Sequence, residues 1–261
     1  MSGVNTPGRA RIAARTLRTD HWRRAPLVTF LGLGLFVVYG TVRAFWAVNY
    51  YAAPYLSPFY SPCITTACVP EASDFGQPIA WLPLSPALLI LIFPLGFRLT
   101  CYYYRKAYYR SFWQSPTACA VAEPHKRYTG ETQFPLIMQN VHRYFWYVAM
   151  IFGVILTYDA ILGFRNPAGD WGHMGLGTVI LLINAGLIWL YTLSCHSCRH
   201  IMGGKLKHFS RHPIRYKAWQ QISKLNAKHM QLAWVSLIWL AVTDFYIVLL
   251  ASGTIHDLRF F

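Results

Sequence analysis

With 261 residues, 55% of them hydrophobic and 16% aromatic, and a formal net charge of +15, the chain is too apolar for an ordinary soluble domain. The charge would suit nucleic acid only if the Lys and Arg formed one recognition face, and they alternate instead with long apolar blocks. Composition therefore excludes a nucleic-acid partner and leaves an all-α, polytopic helix bundle in membrane lipid.

Residues 1–26 form a basic N-terminal segment, and the first apolar block follows at 27–48. This block is not a cleavable signal, because it is long for that role and "YGTVRAFW" offers no small-residue cleavage site. Further spans are expected at 84–104, 141–164, 172–194 and 229–251, each near the ~20 residues that cross a bilayer. Together they make a transmembrane domain over 27–251, followed by an outer C-terminal tail, 252–261. Six Lys and Arg precede the first span, five lie between spans two and three, and eight lie between spans four and five. The positive-inside rule puts these segments in the cytoplasm and both the 50–83 loop and the C-terminus outside, for a multi-pass protein of the plasma membrane.

The outer loop has no Lys or Arg and carries "SPCITTACVP", whose Cys63 and Cys68 are placed for a disulfide on an oxidising face. The second span runs into "CYYYRKAYYRSFW" and the third opens with "HRYFWY", a Tyr and Trp belt with interleaved basic residues. Asp159 in "ILTYDAIL" and Asp244 in "LAVTDFYI" lie within spans, with Arg43, Arg165 and His173 at similar depth. An ionised carboxylate in hydrocarbon is costly, so each is expected to face the bundle interior and find a partner there.

The other four cysteines, Cys101, Cys119, Cys195 and Cys198, fall on the cytoplasmic side, where thiols stay reduced and clustering favours a metal. In "LSCHSCRHIMGG", a fourth helix that continued through Cys198 would put Cys195 and Cys198 on one face and His196 and His200 on the adjacent one. Cys101, Cys119, His142 and His229 also sit on inner loops or helix ends that meet there. Mixed thiolate and imidazole ligands suit zinc, or a Rieske-type [2Fe-2S] cluster with two Cys on one iron and two His on the other. A haem b between His142 and His229 is possible only at shallow depth, since no histidine lies in the middle of a span.

The blocks "CYYYRKAYYRSFW", "SPTACAVAEP", "FPLIMQNVHRYFWY", "LSCHSCRHIMGG" and "KHMQLAWVSLIWLAVTDFY" together resemble the five-helix, cytochrome b-type membrane anchor of actinobacterial succinate dehydrogenases. The resemblance runs in order from Trp22 to Phe261. It implies an oxidoreductase complex in which a flavoprotein oxidises succinate and an iron-sulfur subunit passes electrons to this anchor, where menaquinone is reduced. Familiar anchors of such dehydrogenases hold haem b on mid-helix histidines, so ligands at the cytoplasmic rim favour a cluster there instead.

These expectations make the chain the membrane anchor of a succinate:menaquinone oxidoreductase. The first-choice metal ligands are Cys195, His196, Cys198 and His200, with Cys101, Cys119 and His229 as alternates. Tyr104, Arg105, His142 and Arg143 mark the quinone region, because quinone reduction needs donors to the carbonyl oxygens and a proton supply. The rival readings are a haem b-carrying anchor, a zinc-stapled scaffold and a proton-coupled transporter using Asp159 and Asp244. Against the transporter stands the lack of a repeated half or of paired Gly and Pro interruptions in the spans.

Overall fold

The computed structural model describes residues 20–121, 133–204 and 206–261. The expected basic N-terminal segment lies outside the described residues up to position 19. Helix α1, Arg24–Trp46, ends at Ala47 in a left-handed conformation. The following loop builds a small domain of its own, with strands β1 (Tyr51–Ala52) and β2 (Tyr55–Leu56) paired antiparallel, Tyr51 opposite Leu56. Cys63 and Cys68 are joined in a disulfide, as expected. Tyr50, Phe59, Tyr60 and Ala72 pack around that disulfide as a separate core.

The second apolar block is broken. Helix α2, Pro86–Ile90, passes through Leu91 into α3, Ile92–Thr100, and the chain then turns at Cys101, whose backbone is extended, into α4, Tyr102–Tyr108, and a π turn at Tyr109–Trp113. The two halves meet at 78°. The expected span 84–104 therefore stops at Thr100, and its physical reason is the composition beyond: Tyr, Arg and Lys interleaved over residues 102–110 suit the headgroup layer, not hydrocarbon.

Helices α5 (Gln133–Leu162), α6 (Leu176–Leu193), α7 (His196–Gly203), α8 (Pro213–Asn226) and α9 (His229–Ala251) complete the bundle. Among the described residues, four helices are long and apolar enough to span a membrane, Arg24–Trp46, Gln139–Leu162, Leu176–Leu193 and His229–Ala251, or five if the bent pair Pro86–Thr100 and Tyr102–Trp113 counts as one broken span. α5 packs between α3 and α6, α6 packs on α9, and α7 packs on α8. Indole N–H groups tie the helices inside: Trp146 donates to the Thr192 carbonyl at 2.9 Å and Trp189 to Thr157 Oγ1 at 2.8 Å. Such bonds matter in lipid, where water cannot satisfy a buried donor. α1 turns a wide apolar face outward, Leu35 and Phe45 included.

The two intramembrane acids have different surroundings. Asp244 is fully buried and receives Arg43 Nε at 2.7 Å and Arg43 Nη2 at 3.1 Å, with the Tyr39 and Ser57 hydroxyls also donating to it. Asp159 is held by the Ser61 hydroxyl and borders a cavity of about 90 Å³ with Glu71, Asp74 and Arg165. Both acids thus clamp the 47–85 loop onto the bundle. The C-terminal segment is docked there too: Phe260 N donates to Met174 O at 2.9 Å, and Asp257 accepts from Tyr55 and Tyr246, each at 2.7 Å.

Candidate metal and quinone site

At the opposite end of the bundle four chain segments deliver one Cys or His each. Cys101 sits in the corner where α3 gives way to α4, His142 about two and a half turns into α5, Cys195 just beyond α6, and His229 on the first turn of α9. All four are buried, at 2%, 7%, 1% and 1% exposure. Imidazole Nε2 of His142 lies 3.1 Å from Cys195 Sγ, and Nε2 of His229 lies 3.6 Å from Cys101 Sγ.

Hydroxyls decide the tautomers. Thr100 Oγ1 donates to Gly96 O at 2.7 Å and is also 2.7 Å from His142 Nδ1. Its one proton is committed to the carbonyl, so Nδ1–H of His142 must be the donor in the second bond. Ser194 repeats the arrangement, donating to Tyr191 O at 2.8 Å and lying 2.7 Å from His229 Nδ1. Both neutral imidazoles therefore carry their proton on Nδ1 and turn a bare Nε2 lone pair toward a thiol, the state in which imidazole binds metal. Phe97 stacks on His142 with ring centroids 4.8 Å apart, and Tyr191 stacks on His229 at 5.1 Å, which fixes both ring planes.

The four residues line one cavity of about 710 Å³, in the range of cofactor and ligand sites. Its charged wall is basic, with Arg105, Arg143 and Arg199 beside His196 and His200, among uncharged residues such as Gln139, Asn140 and Trp219. Beneath it, Arg98 is buried and donates to Tyr104 Oη at 2.6 Å, to Ala233 O at 3.2 Å and to Ser236 Oγ.

The first-choice ligand set is divided by a helix break. α6 stops at Leu193, and Cys195 is extended and caps α7 by accepting from Ser197 N at 3.4 Å, so no single helix carries Cys195 and Cys198. Cys195 and His196 line the cavity, whereas Cys198 is buried in the same apolar cluster as Cys101 and Cys195 without lining the cavity. His200 lines the outer wall, its Nδ1 2.9 Å from Arg143 Nη2. Cys119 is exposed and outside the cavity lining. Of the quinone region, Arg105, His142 and Arg143 border the cavity, but the Tyr104 hydroxyl is spent, accepting from Arg98 and donating to Ala233 O at 2.6 Å.

Burial pushes the Cys195 thiol up to about 12 and the Cys198 thiol up to about 11, and it pulls His196 below its usual value, with Arg199 adding to the effect. A thiol so placed stays protonated until a cation takes its proton's place. No group of three or more His, Cys, Asp and Glu among the described residues is gathered closely enough for a single metal ion. The donors instead form two thiol–imidazole pairs around one cavity. Two soft thiols and two imidazoles with bare Nε2 atoms are a donor set that suits a two-iron centre as well as one tetrahedral ion. Reading the sequence picked out Cys101, Cys195, His142 and His229 only among many candidates, and it missed Thr100 and Ser194 altogether. The available signal was positional: each of the four sits at the end of a different apolar block.

The family model described as actinobacterial succinate dehydrogenase subunit SdhC matches residues 24–253. Among solved structures, a chain of the Mycobacterium smegmatis Sdh1 complex in the apo form is similar, with 60% sequence identity, a TM-score of 0.87 and full coverage of both chains. No curated protein matches.

Proposed function

Because the chain belongs to the actinobacterial succinate dehydrogenase subunit SdhC family and is thus a membrane-anchor subunit of that oxidoreductase, we propose that it delivers electrons to a quinone at the cavity walled by Cys101, His142, Cys195 and His229. Its partners are the flavoprotein and iron-sulfur subunits of the complex. The observation that carries the reading is the convergence of two buried thiols and two Nδ1-anchored imidazoles, each from a different chain segment, on one cavity.

These four residues, in place of Cys195, His196, Cys198 and His200, would hold a Rieske-type [2Fe-2S] cluster. When bound, such a cluster supplies a one-electron carrier whose neutral imidazole ligands raise its potential above that of an all-thiolate centre. Thr100 and Ser194 keep the imidazoles in the ligating tautomer, and the stacked rings of Phe97 and Tyr191 shield them from water. Cys101 and Cys195 give up their protons on loading.

The quinone, menaquinone in this reading, takes two electrons and two protons to become the quinol. Arg105 and Arg143 on the cavity wall are the candidate donors to its carbonyl oxygens, where negative charge develops. His196 is exposed at the same opening and suits proton delivery from the aqueous side. That side is the cytoplasm: the basic segments are supported there by the positive-inside rule, and the Cys63–Cys68 disulfide suits the oxidising face opposite.

The test is metal and acid-labile sulfide analysis of the purified complex with electron paramagnetic resonance. Two irons and two sulfides per anchor beyond those of the partner subunits, with a mixed-ligand cluster spectrum, support the reading. Zinc without the extra iron would return the site to a scaffold role, and a haem absorption band would assign His142 and His229 to haem instead.

A further inference from the structure

Tyr191, near the end of α6, lies between the two thiol–imidazole pairs, packed on His229 and against Phe97, which in turn stacks on His142. It is 1% exposed and lies parallel to His229, with an interplanar angle of 7°. Phe97 packs on it at 5.2 Å and the Arg98 guanidinium sits 4.8 Å from its ring centroid. So tightly held a ring has no freedom to redirect its hydroxyl. Yet no oxygen or nitrogen accepts from that hydroxyl, and the group it addresses is the Cys101 thiol.

The neighbouring phenol is satisfied where this one is not. Tyr104, also against Arg98, has its hydroxyl filled on both sides by Arg98 and the Ala233 carbonyl. A buried donor left without an acceptor is costly, and such groups are retained where an acceptor arrives with a bound group. A protonated thiol is a poor acceptor, whereas a metal-bound thiolate is a good one.

We propose that Tyr191 is a positioning residue of the redox site, donating its hydroxyl hydrogen bond to the Cys101 sulfur once that sulfur is a ligand and so raising the potential of the group held there. The proposal rests on the [2Fe-2S] reading above. A hydrogen bond to sulfur stabilises the more negative, reduced form, so it favours acceptance of an electron from the iron-sulfur partner. Arg98 beside the ring strengthens the effect, because a cation against a phenol makes its O–H a better donor.

The experiment compares the intact wild-type complex with Tyr191→Phe by redox titration followed by electron paramagnetic resonance. The expected result is unchanged iron and sulfide content with a one-electron equilibrium shifted about tenfold toward the oxidised form, about 59 mV lower in midpoint. Quinone reduction slows, while succinate oxidation with a soluble acceptor at the flavoprotein is unchanged. A wild-type midpoint in Y191F overturns the proposal and leaves the cluster reading standing; a wild-type complex without the cluster signal overturns both. Should Y191F fail to assemble, difluorotyrosine at position 191 keeps the shape and makes a stronger donor. It is expected to raise the midpoint, and no shift in that complex overturns the proposal.

Discussion

His142 and His229 are held alike: each imidazole Nδ1 lies 2.7 Å from a hydroxyl whose own proton is committed to a helix carbonyl. If those hydroxyls fix the ligating tautomer, removing them loosens a bound metal without removing any ligand. Thr100→Ala and Ser194→Ala are each expected to weaken cluster retention by about 10- to 100-fold, the range for loss of such orienting partners. Iron remaining after dialysis against a chelator reads this directly. Thr100→Ser retains the hydroxyl and is expected to hold iron as the wild type does.

The two intramembrane acids are expected to respond very differently to substitution. Asp244→Ala strands the Arg43 guanidinium, which is only 4% exposed, and removing one partner of a buried pair costs about 3–5 kcal/mol. Asp159→Asn keeps a hydrogen-bonding group opposite Ser61 and is expected to cost about 1 kcal/mol. Asp159 also lies 17 residues along α5 from His142, about 25 Å at helical rise. Thermal melting of the purified complex separates the two variants, and quinone reduction in D159N is expected at the wild-type level.

The helical class, the apolar blocks and the loop disulfide were legible because each rests on local signals: block length, basic flanks and cysteine spacing. The ligand grouping was not. "CHSCRH" concentrates ligands along the chain, but the extended backbone at Cys195 breaks the helix and turns Cys198 into the core, while His196 and His200 go to the cavity's outer wall. Proximity in this bundle is set instead by where helix ends meet. Cys101 and His229 are 128 residues apart and lie within contact, which no local period reveals. The bend at Cys101 had a visible cause, the Tyr-rich basic stretch after it, which a fixed count of 20 apolar residues overrode.

Tyr55 gives a pH prediction at the other end of the molecule. Burial pushes its phenol up to about 12, against the pull of the Thr178 hydrogen bond and with a further push from Asp257. An acid raised above its unfolded value near 10 stabilises the fold fully below that value, and the contribution is lost as pH climbs from about 10 to about 12. The wild-type melting temperature is therefore expected to fall more steeply over that window than that of Tyr55→Phe. Below pH 10 the variant is expected to be less stable by about 1 kcal/mol, having lost the bond to Asp257.

Thiol chemistry can orient the chain without any assay of activity. Cys119 is the one exposed cysteine among the described residues outside the disulfide, since Cys101, Cys195 and Cys198 are buried. Cys63 and Cys68 are tied to each other at the loop end of the bundle, opposite the cavity lined by Cys101, His142, Cys195 and His229. With the basic segments in the cytoplasm, a membrane-impermeant maleimide is expected to leave intact cells' anchor unlabelled until a reductant opens the disulfide. Inverted vesicles are expected to label at Cys119 with no reductant, and Cys119→Ser removes that signal. The reverse pattern would put the Cys- and His-lined cavity on the outer face and overturn the proposed proton supply from the cytoplasm. The closed loop also has a stability consequence. On the chain-entropy description a ring this short contributes about 2 kcal/mol, so reductant is expected to lower the melting temperature of the wild type but not that of the Cys63→Ser, Cys68→Ser double variant.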